Sequence, residues 1–226
     1  MKWLYFILNI GSLSIPLLYS FNKDMRFIKH FKHVLLSTLI TAILFICWDV
    51  WFTNLEVWGF NDLYYLGFTL FKMPIEEWLF FFCIPYACLF THYALFHFNP
   101  QWGISIKRTK ILTVSLILLS GSVALFNLDK LYTVVNFSVL ACVLIIGLKY
   151  NTQQLQRFYI SFLFILIPFL LVNGILTGSF IDQEVVWYNN SENLGIRLFT
   201  IPIEDMGYAF SLLFTNILLL EYFKTS

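Results

Sequence analysis

Charge is what this chain has least of. Charged residues make up 12% of its 226 residues, about half the fraction of a soluble domain. Hydrophobic residues make up 59% and aromatic ones 20%, which describes one compact membrane unit and excludes a soluble domain with a tail. No basic stripe runs along the chain, and the formal net charge is only +1, so nothing points to nucleic acid. Cysteine is sparse too: Cys47, Cys83, Cys88 and Cys142 lie in apolar segments without metal-ligand spacing. They read as buried thiols, and no metal site is expected. No G-x-G-x-x-G follows a strand, so no bound dinucleotide is expected either. The apolar run behind Lys2 lacks a small-x-small cleavage site before Phe21, so it reads as a helix and not as a signal peptide.

What the chain does have is a repeat. Residues 56–77 overlay residues 184–205 without a gap, at a constant offset of 128. Glu56, Val57, Asn61, Leu66, Gly67, Leu70, Phe71, Pro74, Ile75 and Glu76 recur as Glu184, Val185, Asn189, Leu194, Gly195, Leu198, Phe199, Pro202, Ile203 and Glu204. The next position keeps its charge, Glu77 becoming Asp205. A repeat of this kind sets the architecture before any other reading.

Seven segments are apolar and long enough to span a bilayer, which takes about 20 residues: 3–21, 34–52, 75–96, 111–126, 131–148, 158–178 and 203–223. Pro16, Pro85 and Pro168 fall inside three of them and suggest kinks, because a bundle can re-satisfy the freed carbonyls. Ten of the fourteen basic residues follow alternate segments on one side, which is therefore the cytoplasm. The expected fold is an all-α membrane protein of seven transmembrane helices, with the N-terminus outside and the C-terminus cytoplasmic. Helices 1–3 map onto helices 5–7 as a parallel internal repeat. A first repeat covers 1–97, a connector with helix 4 covers 98–130, and a second repeat covers 131–226.

Eleven of the thirteen acidic residues gather at the opposite, outer ends. Glu76, Glu77, Glu204 and Asp205 stand out, each pair following a proline and opening an apolar helix. Acids after a proline are ordinary helix-start chemistry, and alone they would imply no function. The second half, however, repeats their surroundings. Tyr5 and Asn9 return as Tyr132 and Asn136, each pair on one helix face, and Asp49 lines up with Asn173. Polar groups at membrane depth are costly and usually mark a site. Burial in apolar surroundings disfavours the ionised form of a carboxyl, and a neutral carboxyl can hand its proton to a hydrocarbon. Trp48, Trp51, Trp58, Trp78, Phe80, Phe81, Phe82, Trp187 and Tyr208 supply ring faces that could steady a cation, although most such residues serve as interfacial belts. Arg197 precedes the second acid pair and is a candidate counter-ion for it. His92 and His97 fall near the inner end of their helix and read as packing residues.

Pro74-Ile75-Glu76-Glu77-Trp78 with its Phe run, Trp48-Asp49, and Pro202-Ile203-Glu204-Asp205 with Tyr208 resemble the integral-membrane lycopene cyclases. The resemblance is to the flavin-independent type built from paired small subunits, here fused in one chain, and it covers essentially the whole length. It implies non-redox acid–base cyclisation of the linear ψ ends of lycopene to β-ionone rings, with no cofactor. The substrate would be a carotenoid in the bilayer of the plasma membrane; contacts with other carotenoid enzymes stay open. By this likeness Glu76 and Glu204 are the acid/base candidates, with Glu77 and Asp205 supporting and Asp49 and Asn173 behind them. Tyr5, Asn9, Tyr132, Asn136, Trp48, Trp78, Arg197 and Tyr208 complete the candidate site.

Two other classes share the helix count or the repeat. A retinal-type photoreceptor needs a lysine inside helix 7, and 203–223 contains none. A small proton-coupled transporter would hold its acids near the midplane, whereas these sit at outer helix ends.

Overall fold

Each apolar run becomes a helix in the computed structural model, which describes residues 1–225; Ser226, the last residue of the second repeat, lies outside the described residues. The helices are α1 Leu4–Tyr19, α2 Phe31–Asn54, α3 Ile75–Phe98, α4 Ile106–Phe126, α5 Leu131–Tyr150, α6 Thr152–Leu176 and α7 Glu204–Thr225. Six are long and apolar enough to cross a membrane, and α1, at 16 residues, is the short one. Pro16, Pro85 and Pro168 lie within continuous helices. The helices α4 and α6 begin five or six residues before the expected spans. Side-chain caps explain this: Ser105 Oγ accepts from the Arg108 N–H at 3.4 Å, and Asn151 Oδ1 from the Gln154 N–H at 3.2 Å. Both added turns carry polar residues that hydropathy does not count as spanning.

Several hydroxyls inside the bundle are satisfied within their own helix. Thr41 donates to the Ser37 carbonyl at 2.9 Å and Thr113 to the Thr109 carbonyl at 2.8 Å, the back-bonding that lets hydroxyls sit in a helix. Leucines, isoleucines and phenylalanines cover much of the outward faces, as suits a membrane protein. Cys83 is buried as expected, but Cys47 and Cys142 face outward from their helices. The expectation of four buried thiols is corrected there, because an apolar run does not say which side of a helix meets lipid.

The expectation of an all-helical chain is also corrected. Among the described residues, six short strands organise the loops that precede the acid-bearing helices: β1 Trp58–Phe60, β2 Thr69–Leu70, β3 Met73–Pro74, β4 Val186–Tyr188, β5 Arg197–Leu198 and β6 Ile201–Pro202. Within each repeat a tight hairpin, β2–β3 or β5–β6, leads into the acid-bearing helix, pairing Thr69 with Pro74 and Arg197 with Pro202. The strand pair β1–β4 joins the repeats, antiparallel, with Gly59 opposite Trp187 at its centre. Those two residues are equivalents at the offset of 128, so the pseudo-twofold axis passes through them. The flanking bonds obey the same symmetry: the Asn61 N–H donates to the Val185 carbonyl, and the Asn189 N–H to the Val57 carbonyl, both at 2.9 Å. A Cβ on Gly59 would lie 2.3 Å from the Trp187 ring, so only glycine admits the indole at the axis.

Helix packing repeats in the same way. The α1–α3 contact matches α5–α7, and α2–α7 matches α6–α3. Helix α4 stands outside this symmetry, packed on α5 and α6.

Candidate active site

The two members of each acid pair do different work. Glu76 is fully buried, and its Oε1 accepts from the Leu66 N–H at 2.8 Å. Glu204 repeats the bond with the Leu194 N–H at 2.8 Å and takes a second from Thr133 Oγ1 at 2.7 Å. Asn9 Nδ2 donates to the Glu76 backbone carbonyl, and Asn136 Nδ2 to that of Glu204, each at 2.8 Å. These bonds tie the loop before the hairpin, the first turn of the acid-bearing helix and the first helix of each repeat together. Gly67 and Gly195, next along from the clamped amides, have φ of +97° and +69°, a conformation that glycine adopts without strain.

Adjacent residues on a helix are about 100° apart, so Glu77 and Asp205 point elsewhere. Both line a single cavity of about 330 Å³ at the end of the bundle where the acid-bearing helices begin. Tyr5 donates to Glu77 Oε2, and Asp49 lines the same cavity. Tyr208 donates to Asp49 Oδ1 at 2.7 Å. Across the cavity, Tyr132 donates to Asp205 Oδ1 at 2.6 Å; Tyr188 and Asn173 donate to Oδ2 at 2.9 and 2.8 Å. Tyr5, Asp49 and Glu77 in the first repeat therefore match Tyr132, Asn173 and Asp205 in the second. Burial, with the Asp205 carboxyl beside it, pushes the Tyr188 hydroxyl well above its ordinary range, so it remains a donor at neutral pH.

Helices α1, α3, α6 and α7 and the β1–β4 ribbon furnish most of the walls. Trp58, Phe60 and Phe80 add ring faces near the acids. Away from them the cavity runs between α1 and α6, past Ser12, Ile15 and Pro16 on one side and Pro168, Phe169 and Val172 on the other. Ile15 is 65% exposed, so this end opens onto the outer, apolar face of the bundle. On the symmetry-related side, between α5 and α2, aromatic rings crowd the acid end: Phe52 packs on Trp58, Trp48 and Tyr132, with Trp48 4.9 Å from Tyr208.

A lycopene cyclase family model matches the chain twice, over residues 2–96 and 129–223. The chain belongs to the lycopene cyclase family. It carries two copies of the family repeat in one polypeptide. No curated protein and no solved structure matches it.

In this cyclase the cavity gathers Tyr5, Asp49, Glu77, Tyr132, Asn173, Asp205 and Tyr208 among the residues singled out from sequence. It does not gather Glu76, Glu204, Asn9 and Asn136, which form the clamps behind it. Trp48 and Trp78 pack beside Phe45 and Phe81 in the adjoining core. Arg197, expected as a counter-ion, instead donates to the Thr200 carbonyl at 2.6 Å and to Asn190 Oδ1 at 2.8 Å, with its guanidinium over the Tyr188 ring. Its hairpin carbonyl is nearer than any carboxylate, and that expectation is corrected. His92 sits away from the acids, its Nδ1 2.7 Å from Ser161 Oγ. Sequence reasoning missed Tyr188, Phe60 and Thr133. Tyr188 and Phe60 occupy equivalent positions in the repeated loop, and a polar group in one copy only was the available signal.

Proposed function

We propose that the protein converts the linear ψ ends of lycopene into β-ionone rings by proton transfer alone, without flavin. The observation that carries this reading is the pair of equivalent carboxyl centres, around Glu77 and Asp205, facing one apolar-walled cavity in a lycopene cyclase family chain. A proton from one centre adds to C2 of the terminal C1=C2 bond and leaves a tertiary cation at C1. The C5=C6 electron pair closes the C1–C6 bond, which moves the cation to C5. Loss of the C6 proton to the other centre forms the new C5=C6 bond. Atoms and charge balance, and nothing is oxidised or reduced. Trp58, Phe60 and Phe80 offer ring faces to the cation, and the apolar walls keep water from quenching it.

A hydrocarbon substrate comes from the bilayer, and the opening between α1 and α6 is its route. A cavity of about 330 Å³ has room for one end of the substrate. The rest of the carotenoid then lies along the groove or in lipid. The proposed setting is the plasma membrane, with all seven helices spanning, the N-terminus and the cavity at the outer side, and the C-terminus in the cytoplasm. The ten-to-four split of basic residues supports that orientation.

Expression in a lycopene-accumulating host tests the reading: carotenoids with one or two β-rings should replace lycopene in the extracts. Unchanged lycopene with the protein present in the membrane would refute it.

A further inference from the structure

The two carboxyl centres are equivalent by descent and unlike in chemistry. In the first, Glu77 and Asp49 are two carboxyls lining one cavity, Asp49 holding the place from which Asn173 meets Asp205 at 2.8 Å in the second. Two carboxylates are acceptors only and repel each other in apolar surroundings, so a buried pair of this kind keeps one proton between its members. Tyr5 donates to Glu77 and Tyr208 to Asp49, one phenol to each member of the pair. In the second, Asn173 stands where Asp49 stands in the first. Asp205 meets three groups that each donate to it: Tyr132, Tyr188 and Asn173. That surrounding is built for a carboxylate, and it holds no shared acid proton. The space is unequal as well. The cavity extends between α1 and α6, while between α5 and α2 Phe52, Trp48 and Tyr132 crowd the acid end.

Resting on the cyclase reading above, we infer that duplication has produced one active site with divided labour: the Glu77–Asp49 pair is the proton donor and Asp205 the acceptor. The pair gives its shared proton to C2 and is left as two carboxylates braced by Tyr5 and Tyr208. Asp205 takes the C6 proton and becomes neutral. Asp205 then gives its proton to water and the pair takes one up from water, which resets both centres, so each ring costs no net proton. With one donor and one open groove, the two ends of lycopene are cyclised in separate binding events. Asp49 is thus a catalytic residue in its own right, and Asn173 is the substitution that makes Asp205 a base.

The experiment uses full-length protein in lipid vesicles with lycopene, comparing wild type with Asp49→Asn, Glu77→Gln, Asp205→Asn and Asn173→Asp. Asp49→Asn keeps the shape and the acceptor for Tyr208 but removes the shareable proton. It should lower the rate of ring formation at least about a hundredfold, the usual cost of a lost general acid. Asn173→Asp should also slow the reaction, at least about tenfold, by giving Asp205 a proton to share. Infrared difference spectra give a readout that does not depend on turnover. A protonated-carboxyl stretch present in wild type should vanish in Asp49→Asn and Glu77→Gln and persist in Asp205→Asn. Near wild-type rates in Asp49→Asn or in Asn173→Asp, or a stretch lost in Asp205→Asn and kept in Asp49→Asn, would overturn the division of labour and leave the cyclase reading intact. Wild type that forms no rings in these vesicles would overturn that reading, and this inference with it.

Discussion

Glu76 and Glu77 are neighbours in sequence, yet one is clamped to a backbone amide and the other faces a cavity. The acid pairs were legible in the sequence because they stand out in an apolar chain and occur twice. Which member does chemistry was not, because that depends on how α3 and α7 are rotated about their axes. Asn9, Asn136 and the Leu66 and Leu194 amides set the rotation, and those contacts span up to 68 positions. The resemblance pointed to Glu76 and Glu204 as acid and base; the geometry favours Glu77 and Asp205 for those roles. The prediction separates the two. Glu77→Gln and Asp205→Asn should each cut ring formation by about 10²–10⁴-fold. Glu76→Gln and Glu204→Gln keep a carbonyl oxygen for the amides they hold and should still cyclise at rates within about tenfold of wild type, the modest effect of a residue outside the reacting atoms. Chromatography of pigments, normalised to protein in the membrane, reads both. The reverse pattern would return the chemistry to the clamps.

Helices were easy to read because apolar runs of spanning length leave few alternatives. The strands were not, since two- and three-residue strands give no periodicity to detect. Even so, the β1–β4 ribbon is the element that roofs the cavity and presents Tyr188 to Asp205. Its weak point is the axis, where the Trp187 ring occupies the place of a Gly59 side chain. Gly59→Ala should therefore act as overpacking and cost about 1–3 kcal/mol, seen as a lower melting temperature in detergent. Adding Trp187→Ala should recover most of that loss, because it removes the clashing ring. A single mutant as stable as wild type would mean that the ribbon does not hold the two repeats together. At the clamps, Asn9→Ala removes a buried donor to the Glu76 carbonyl and should cost about 1–3 kcal/mol by the same measurement. Turnover per folded molecule should change far less than in Glu77→Gln.

At the scale of the molecule, the duplication in sequence carried the architecture: two copies of three helices, an odd helix between them, and acids at corresponding places. The functional asymmetry was nearly hidden. Asp49 against Asn173, Phe60 against Tyr188 and Phe80 against Tyr208 betray it in the sequence, and these mismatches have no meaning until the fold puts both copies around one cavity. Orientation is open to a separate test. Reporter fusions after Asn22, Trp102 and Asn151 should read cytoplasmic, and those after Asn61 and Asn189 external; the inverse would move the cavity to the inner side. The central claim is that protons, and nothing else, are exchanged between these carboxyls and the substrate. It is tested most directly by incubating purified protein with lycopene in vesicles made in D₂O, without nucleotide, and weighing the product. The account predicts β-ring carotenoid carrying one deuterium per ring, at C2. Cyclisation that strictly requires added reduced flavin, or rings that form without deuterium, would contradict it.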